Sequence, residues 1–423
     1  MNIQEVKRQA EEEIIHKHKE VNQIVEVNQA NVLNAFQKLR VSDSHFNPTT
    51  GYGYDDFGRD TLEDLYAEIF KAEDALVRPQ LISGTHALTT ALFGVLRPGD
   101  ELLYITGEPY DTLHEVIGKK DGKDTGSLRD FGVSYNSIPL TKEGSFNVGR
   151  IKEMISTETR IVAIQRSKGY DDRPSFTIED ISQIIKEVRQ VKSDAVVFVD
   201  NCYGEFVETR EPIEAGADLI AGSLIKNPGG GITRIGGYIA GRKDLIELCS
   251  YRLTAPGLGK ETGASLNSLQ EMYQGIFLAP HVVGEALKGA IFTAKFLEKL
   301  GFNTNPAFDA KRTDLIQSVN FETAEQMVRF CQAIQQASPV NSHVLPQPSA
   351  MPGYEDDVIM AAGTFIQGAS LELTADGPIR PPYTAFVQGG LTYAHVKIAV
   401  TQAVTQLIED KIFIPHRVDT EIF

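Results

Sequence analysis

The chain has 423 residues, 42% hydrophobic and 23% charged, enough for two or three domains with a buried core. Its net charge of −16, from 41 basic and 57 acidic residues, repels phosphate backbones and anionic lipid, and no lysine or arginine run offsets it. No stretch reaches the roughly 18 apolar residues of a membrane span, so nucleic acid and membrane are excluded as partners and a small molecule is favoured.

The N-terminus, MNIQEVKRQAEEEIIHKHKE, is charged throughout and is not a signal peptide. Residues 2–40 read as helix. A loop rich in turn residues and aromatics follows, HFNPTTGYGYDDFGR (45–59). Asp60 and Glu63 make an acidic capping box. Behind them Leu62, Leu65, Tyr66, Ile69 and Phe70 share one helical face.

From about 77 to 240, short apolar runs alternate with helical patterns. The runs are QLIS (80–83), ELLYIT (101–106), RIVAIQ (160–165), AVVFVD (195–200), DLIAGS (218–223) and YIAG (238–241). Between two of them TIEDISQIIKEVRQ (177–190) places Ile178, Ile181, Ile184, Ile185 and Val188 on one face. Continuous apolar strands alternating with helices predict an α/β fold, its mostly parallel sheet covered on both faces. Ligands of such sheets bind at the carboxyl ends of strands. GEALKGAIFTAKFLEKLG (284–301) reads as a long helix, and a smaller α/β domain follows. The expected division is 1–58 as a helical arm and loop, 59–285 as the large domain and 286–423 as the small one. Cys202, Cys249 and Cys331 are scattered and odd in number. They fit a reducing, cytoplasmic setting and form no metal pattern.

Four pieces at strand ends carry chemistry. SGTHA (83–87) runs into a helix whose free N–H groups suit a phosphate. GEPYD (107–111) places Tyr110 just after a strand. VFVDNCYGEF (197–206) ends an apolar strand on Asp200, which calls for a cation or donors. SLIKNPGGG (223–231) places Lys226 three residues after Ser223, before three glycines. Each has a plain structural reading: a glycine turn, a packing tyrosine, a capping aspartate, an exposed loop lysine. Together they describe a pyridoxal-phosphate site. Its phosphate needs N–H groups and hydroxyls, its ring an aromatic, its ring nitrogen a carboxylate and its aldehyde a lysine. The glycines leave room for backbone to pass close to the cofactor.

The chain resembles fold-type I pyridoxal-phosphate enzymes of the cysteine/methionine-metabolism group. Within that group it is most similar to the methionine gamma-lyase-like proteins called aluminium-resistance proteins. GADLIAGSLIKNPGGG (216–231) resembles the group's Ser–x–x–Lys–x–x–Gly–Gly segment, and VDNCYG (199–204) its Val-Asp-Asn-Thr segment. The resemblance implies pyridoxal 5'-phosphate bound covalently at Lys226, which then moves protons among the substrate's α, β and γ carbons. It implies that Asp200 meets the ring nitrogen and that Tyr110, a catalytic residue beside Lys226, stacks on the ring and activates a leaving group. Gly84, Thr85 and Ser223 would hold the phosphate. Tyr54 and Arg59 are the candidates for phosphate contacts from a neighbouring subunit, although their spacing departs from the family's Tyr-x-Arg. Arg380, in GPIRPPY (377–383), is the candidate for the substrate carboxylate.

The implied activity is carbon–sulfur cleavage of a sulfur amino acid by β- or γ-elimination, in a homo-oligomer of active dimers. Two other readings stay open: an aminotransferase or aldolase on the same cofactor, and a non-catalytic pyridoxal-phosphate-binding protein. A nucleotide-binding module is disfavoured, because SGTHA lacks both the P-loop lysine and a G-x-G-x-x-G pattern.

Overall fold

The computed structural model describes residues 2–119, 124–171, 173–351 and 354–414. The end of the expected small domain, 415–423, therefore lies outside the described residues. The chain forms two compact units, Val27–Ala279 and Met1–Glu26 with Pro280–Phe423.

Helices α1 (Ile3–Glu13) and α2 (Ile15–Lys38) break at Ile14. Helix α3 (Phe57–Phe70) is capped by Asp56, whose side chain accepts from the Arg59 amide at 2.9 Å. The expected cap at Asp60 is therefore displaced, because Glu63 turns inward. Glu63 is fully buried and pairs with the equally buried Arg78 at 2.5 Å. The same pair explains a second difference. QLIS (80–83) is a turn leading into a helix, and the strand is β1 (Asp74–Arg78), whose charged ends masked it in the sequence.

After β1 come α4 (Gly84–Val95), β2 (Glu101–Tyr104), α5 (Asp111–Ile117), β3 (Ser134–Ser137), α6 (Val148–Met154), β4 (Thr159–Gln165), α7 (Ile178–Val191), β5 (Val196–Asp200), β6 (Leu219–Ser223), β7 (Gly237–Gly241) and α8 (Lys243–Leu253). The sheet runs β1-β7-β6-β5-β4-β2-β3. Strands β6, β5, β4, β2 and β3 are parallel, while β7 lies antiparallel between β1 and β6. The β6–β7 connection holds no crossover helix, so the chain returns antiparallel. Both faces of the sheet are covered: Val197 and Val199 are as buried as Phe198 between them. On the Phe198 side Leu76, Leu102, Ile161 and Ile239 meet Leu88 and Leu92 of α4 and Leu245 of α8.

Helix α9 (Leu269–Lys299) starts 15 residues before the sequence reading, at 269 rather than 284. It is long and apolar enough to cross a bilayer by composition, with mean hydropathy 1.3 over 18 residues, which the sequence reading did not anticipate. However, 72% of that window is buried within the protein, as in a core helix.

The C-terminal unit holds β8 (Asn303–Asn305), β9 (Gln317–Asn320), α10 (Ala324–Gln336), β10 (Val358–Ala361), β11 (Thr374–Pro378), β12 (Thr384–Gln388) and α11 (Tyr393–Glu409). Its sheet, β10-β11-β12-β9-β8, is antiparallel at every pair. Helices α10 and α11 pack together, burying Phe330, Ile334, Val400 and Leu407.

The glycines after Lys226 also bring main chains together. A methyl at Gly229 would overlap the Leu224 carbonyl oxygen, and one at Gly230 the Gly275 carbonyl oxygen on α9. Gly230 also has φ +57°, and Gly231 +74°. The glycines let main chains meet. Gly229→Ala is therefore expected to destabilise the protein by about 3 kcal/mol or more, since neither backbone can retreat cheaply. Urea unfolding measures it, and a loss under about 1 kcal/mol would contradict the packing argument.

Candidate active site

Five parallel strands deliver their carboxyl ends to one edge of the large sheet. Asp200 ends β5 and Ser223 ends β6, and the paired register sets Asp200 opposite Ala221. Gln165 ends β4 directly opposite Asp200. Tyr110 follows β2 and precedes α5. Helix α4 begins at Gly84, with Ser83 as its cap accepting from the His86 amide. The first helical amides, Gly84 and Thr85, have no acceptor one turn earlier and face outward from the helix end.

These residues interlock. The Thr85 hydroxyl and the Tyr110 hydroxyl share a hydrogen bond of 2.6 Å. The Tyr110 amide donates to Gln165 Oε1 at 2.8 Å. A Cβ at Gly84 would stand 3.1 Å from Ser223 Cβ and 3.4 Å from Cys202 Sγ, so the start of α4 abuts the ends of β5 and β6. The Cys202 amide donates to Asp200 Oδ1 at 3.1 Å. Lys226 Nζ lies over the ring of Tyr203, 4.0 Å from its centroid.

Asp200 and Cys202 are buried, while Lys226 and Tyr110 are half-buried. Burial pushes the Asp200 carboxyl up, opposed by Lys226 and by the Cys202 amide. Burial also works against the Lys226 ammonium, but its surroundings, Cys202, Tyr203, Asp200 and Tyr110, outweigh it and hold the amine above its ordinary range. Burial keeps the Cys202 thiol protonated, so Asp200 is the anion that acts near neutrality. Burial and the Asp200 charge push the Tyr110 phenol up to about 12.

Six of the candidate residues, Gly84, Thr85, Tyr110, Asp200, Ser223 and Lys226, thus share one sheet edge. Tyr54 and Arg59 do not. Tyr54 is exposed and stacks on Tyr52 at 5.4 Å. Arg59 is 2% exposed and donates to the carbonyls of Gly53 and Gly263 and to Asp60. Among the described residues no hydrogen bond or ring contact joins either to Lys226, Asp200 or Ser223. Arg380 lies in the C-terminal unit, half exposed and ion-paired with Asp356 at 3.1 Å.

Three residues of this edge escaped the sequence reading. Gln165 orients Tyr110, and its signal was a polar residue closing an apolar strand. Tyr203, three residues after Asp200, carries the ring under Lys226. Glu205 is completely buried; its Oε1 accepts from Tyr238 at 2.9 Å and its Oε2 has no partner among the described residues.

The methionine gamma-lyase family profile matches residues 3–408. The chain belongs to that family. A Listeria monocytogenes structure named "putative cystathionine beta-lyase involved in aluminum resistance" is 62% identical, spans 95% of this chain and 99% of that chain, and superposes with a TM-score of 0.94. A Clostridium novyi structure named a carbon-sulfur lyase involved in aluminum resistance is 49% identical over 96% of each chain, with a TM-score of 0.92. The pyridoxal-5'-phosphate dependent protein YhfS of Escherichia coli, 15% identical, covers 91% of this chain and 97% of that chain with a TM-score of 0.61 and shares the fold. This family member therefore has the fold-type I architecture, with a large mostly parallel sheet and a second, smaller sheet unit.

Glu205 supplies a test of this edge. Burial and then the nearby Glu211 raise its carboxyl to about 8, against its own main-chain amide, Tyr238 and Lys226. In the unfolded chain it titrates near 4.3. Below that value both states hold the proton and stability is complete. As pH rises toward 8 the unfolded chain gives up its proton first, so stability falls. Glu205→Gln lacks this penalty. It is expected to gain about 2–4 kcal/mol on the native protein between pH 5 and pH 8, read as the gap between their urea-unfolding curves. Parallel pH profiles would refute a neutral Glu205.

Proposed function

We propose that the protein is a pyridoxal-phosphate-dependent carbon–sulfur lyase. Its substrate is a sulfur amino acid of the cystathionine, methionine or cysteine type. Hydrolytic β- or γ-elimination releases a thiol, ammonia and a 2-oxo acid. The observation that carries the reading is the meeting of Lys226, Asp200, Tyr110 and the start of α4 at one sheet edge. Membership of the methionine gamma-lyase family and the names of the two near neighbours support it.

The residues present fit the cofactor by the chemistry of their donors. Asp200 is a buried carboxylate raised by desolvation, which a cationic ring nitrogen would relieve. The start of α4 packs at Gly84 against Ser223, so its helix-start amides and the Ser223 side chain lie close together and suit a phosphate. When bound, the cofactor supplies an aldehyde for the substrate amine and an electron-poor ring that accepts electrons from Cα. With the cofactor bound, Lys226 Nζ would take the Cα proton and return a proton further along the side chain. Asp200 would hold a fixed negative charge towards the ring nitrogen. Tyr110, its hydroxyl held by Thr85 and its backbone by Gln165, would cover the ring. Arg380 is the proposed partner of the substrate carboxylate. A second copy of the chain is part of the proposal: Tyr52, Tyr54, Phe57 and Leu266 are each more than half exposed, and burying such rings would favour association.

Borohydride reduction followed by peptide mass analysis is expected to find a pyridoxyl group on Lys226. The reduced-free enzyme is expected to release both thiol and 2-oxo acid from at least one sulfur amino acid. Lys226→Arg is expected to lower turnover about 10²–10⁴-fold. Label confined to other lysines would overturn the cofactor assignment. Labelled Lys226 with amino transfer to a keto acid, and no thiol released, would overturn the lyase assignment.

A further inference from the structure

The turn after Asp200 holds an aromatic residue where the backbone favours glycine. Tyr203 has φ +72° and Phe206 +64°, both in the left-handed region that bulky residues rarely enter. A glycine is next door, but it answers a different need: a Cβ at Gly204 would stand 2.5 Å from Arg166 Cδ. The turn is pinned on every side. The Cys202 amide donates to Asp200 Oδ1, the Gly204 amide to the Asn201 carbonyl and the Phe206 amide to Glu211 Oε1. Asn227, the residue after the lysine, donates its side-chain amide to the Glu205 carbonyl at 2.9 Å. What this strained geometry delivers is a ring face, 4.0 Å from Lys226 Nζ. Strain held by its surroundings points to a job for the side chain.

We propose that Tyr203 is a positioning residue that receives the Lys226 ammonium on its ring face whenever the amine is not covalently engaged. The inference rests on Lys226 being the cofactor lysine. Under that reading the amine must alternately accept a proton and give it up. A ring face attracts the ammonium and not the neutral amine. It therefore stabilises the proton-carrying form and fixes the nitrogen beside Asp200. The role uses the π face, not the phenol hydroxyl, so phenylalanine should replace tyrosine and leucine should not.

The test uses the cofactor-free protein, where Lys226 titrates without covalent chemistry. Competitive acetylation across pH, read at the Lys226 peptide by mass, gives its midpoint. Asp200, Cys202, Tyr110 and Glu205 also face this ammonium and stay unchanged in every variant, so differences report the ring. Tyr203→Phe should titrate within about 0.3 units of the native protein, since phenylalanine keeps a π face. Tyr203→Leu should titrate lower by about 0.5–1.5 units, with acetylation at fixed pH about 3–30-fold faster. Tyr203→Gly should show the same downward shift, and its thermal midpoint should not fall below that of the leucine variant, because glycine takes the left-handed backbone without strain. It also carries the test if the leucine variant fails to fold. Leucine or glycine variants that titrate with the native protein, or a phenylalanine variant that shifts with them, would overturn the proposal. An unshifted leucine variant that is still labelled at Lys226 by borohydride sinks this inference and leaves the cofactor reading intact. A shifted titration with no label at Lys226 does the reverse.

Discussion

Lys226 is placed by contact between main chains. The chain turns back after the lysine until Gly229 meets the Leu224 carbonyl and Gly230 meets Gly275 on α9. No side chain fits in either contact, so the depth of the turn is fixed by backbone thickness. Its lateral position is fixed by strand pairing. Ser223 ends β6 and Asp200 ends the neighbouring β5, and paired strands lie roughly 4.8 Å apart. The separation of acid and amine therefore follows from the sheet. The start of α4 is drawn to the same place by Gly84, packed on Ser223 and Cys202. Three elements meet at one edge because glycine permits each approach.

A second layer lies beneath this edge. Arg166 is fully buried and reaches Asn201, Glu208 and Glu211, joining the loop after β4 to the loop after β5. Asn201 in turn donates to Glu211, and Tyr238 of β7 donates to Glu205. Buried ion pairs of this kind are weak evidence for stability, because desolvation opposes the Coulomb gain. Their consequence here is positional. The segment 201–211 touches Arg166 just past β4, Tyr238 of β7 and the residue after Lys226, which ties the acid, the ring of Tyr203 and the lysine to one network. Glu205 lies in the same network with no exposed surface, and that burial raises its carboxyl.

Most of this was legible where a residue type has one physical reason to be present. Apolar runs ending on Asp200 and Ser223 gave β5 and β6 to within a residue. The isoleucine face of α7 was plain, and so was the buried face of α3. Reading failed where a long-range partner changed the meaning of a charge. Arg78 looks like a strand breaker until Glu63 is known to meet it, so β1 was read six residues late. Strand β3, SYNS, is polar and half exposed at the sheet edge and leaves no apolar trace. What no sequence pattern shows is that Gly230 meets α9, distant in sequence, while Gly229 meets the Leu224 carbonyl. Tyr203 stood inside a quoted motif, yet only its left-handed backbone, invisible in a sequence, gives it meaning.

The charges at the edge bind these facts into one argument. Asp200 is buried, and Lys226 is the foremost cation that keeps its carboxylate ionised, with Arg173 a lesser one. Linkage is reciprocal, so the carboxylate also keeps the lysine protonated. A lysine held in that way is a poor base. It can act as one only if another positive charge supports Asp200 while the amine is neutral. A protonated ring nitrogen beside the carboxylate has that property, which is why this acid and this amine suit a pyridoxal-phosphate enzyme better than a plain ion pair. The ring of Tyr203 enters on the other half of the cycle. It stabilises the ammonium without adding a negative charge that would compete with Asp200 for the cofactor. An anionic residue there would hold the proton more tightly, and an aliphatic one would leave the ammonium to Asp200 alone.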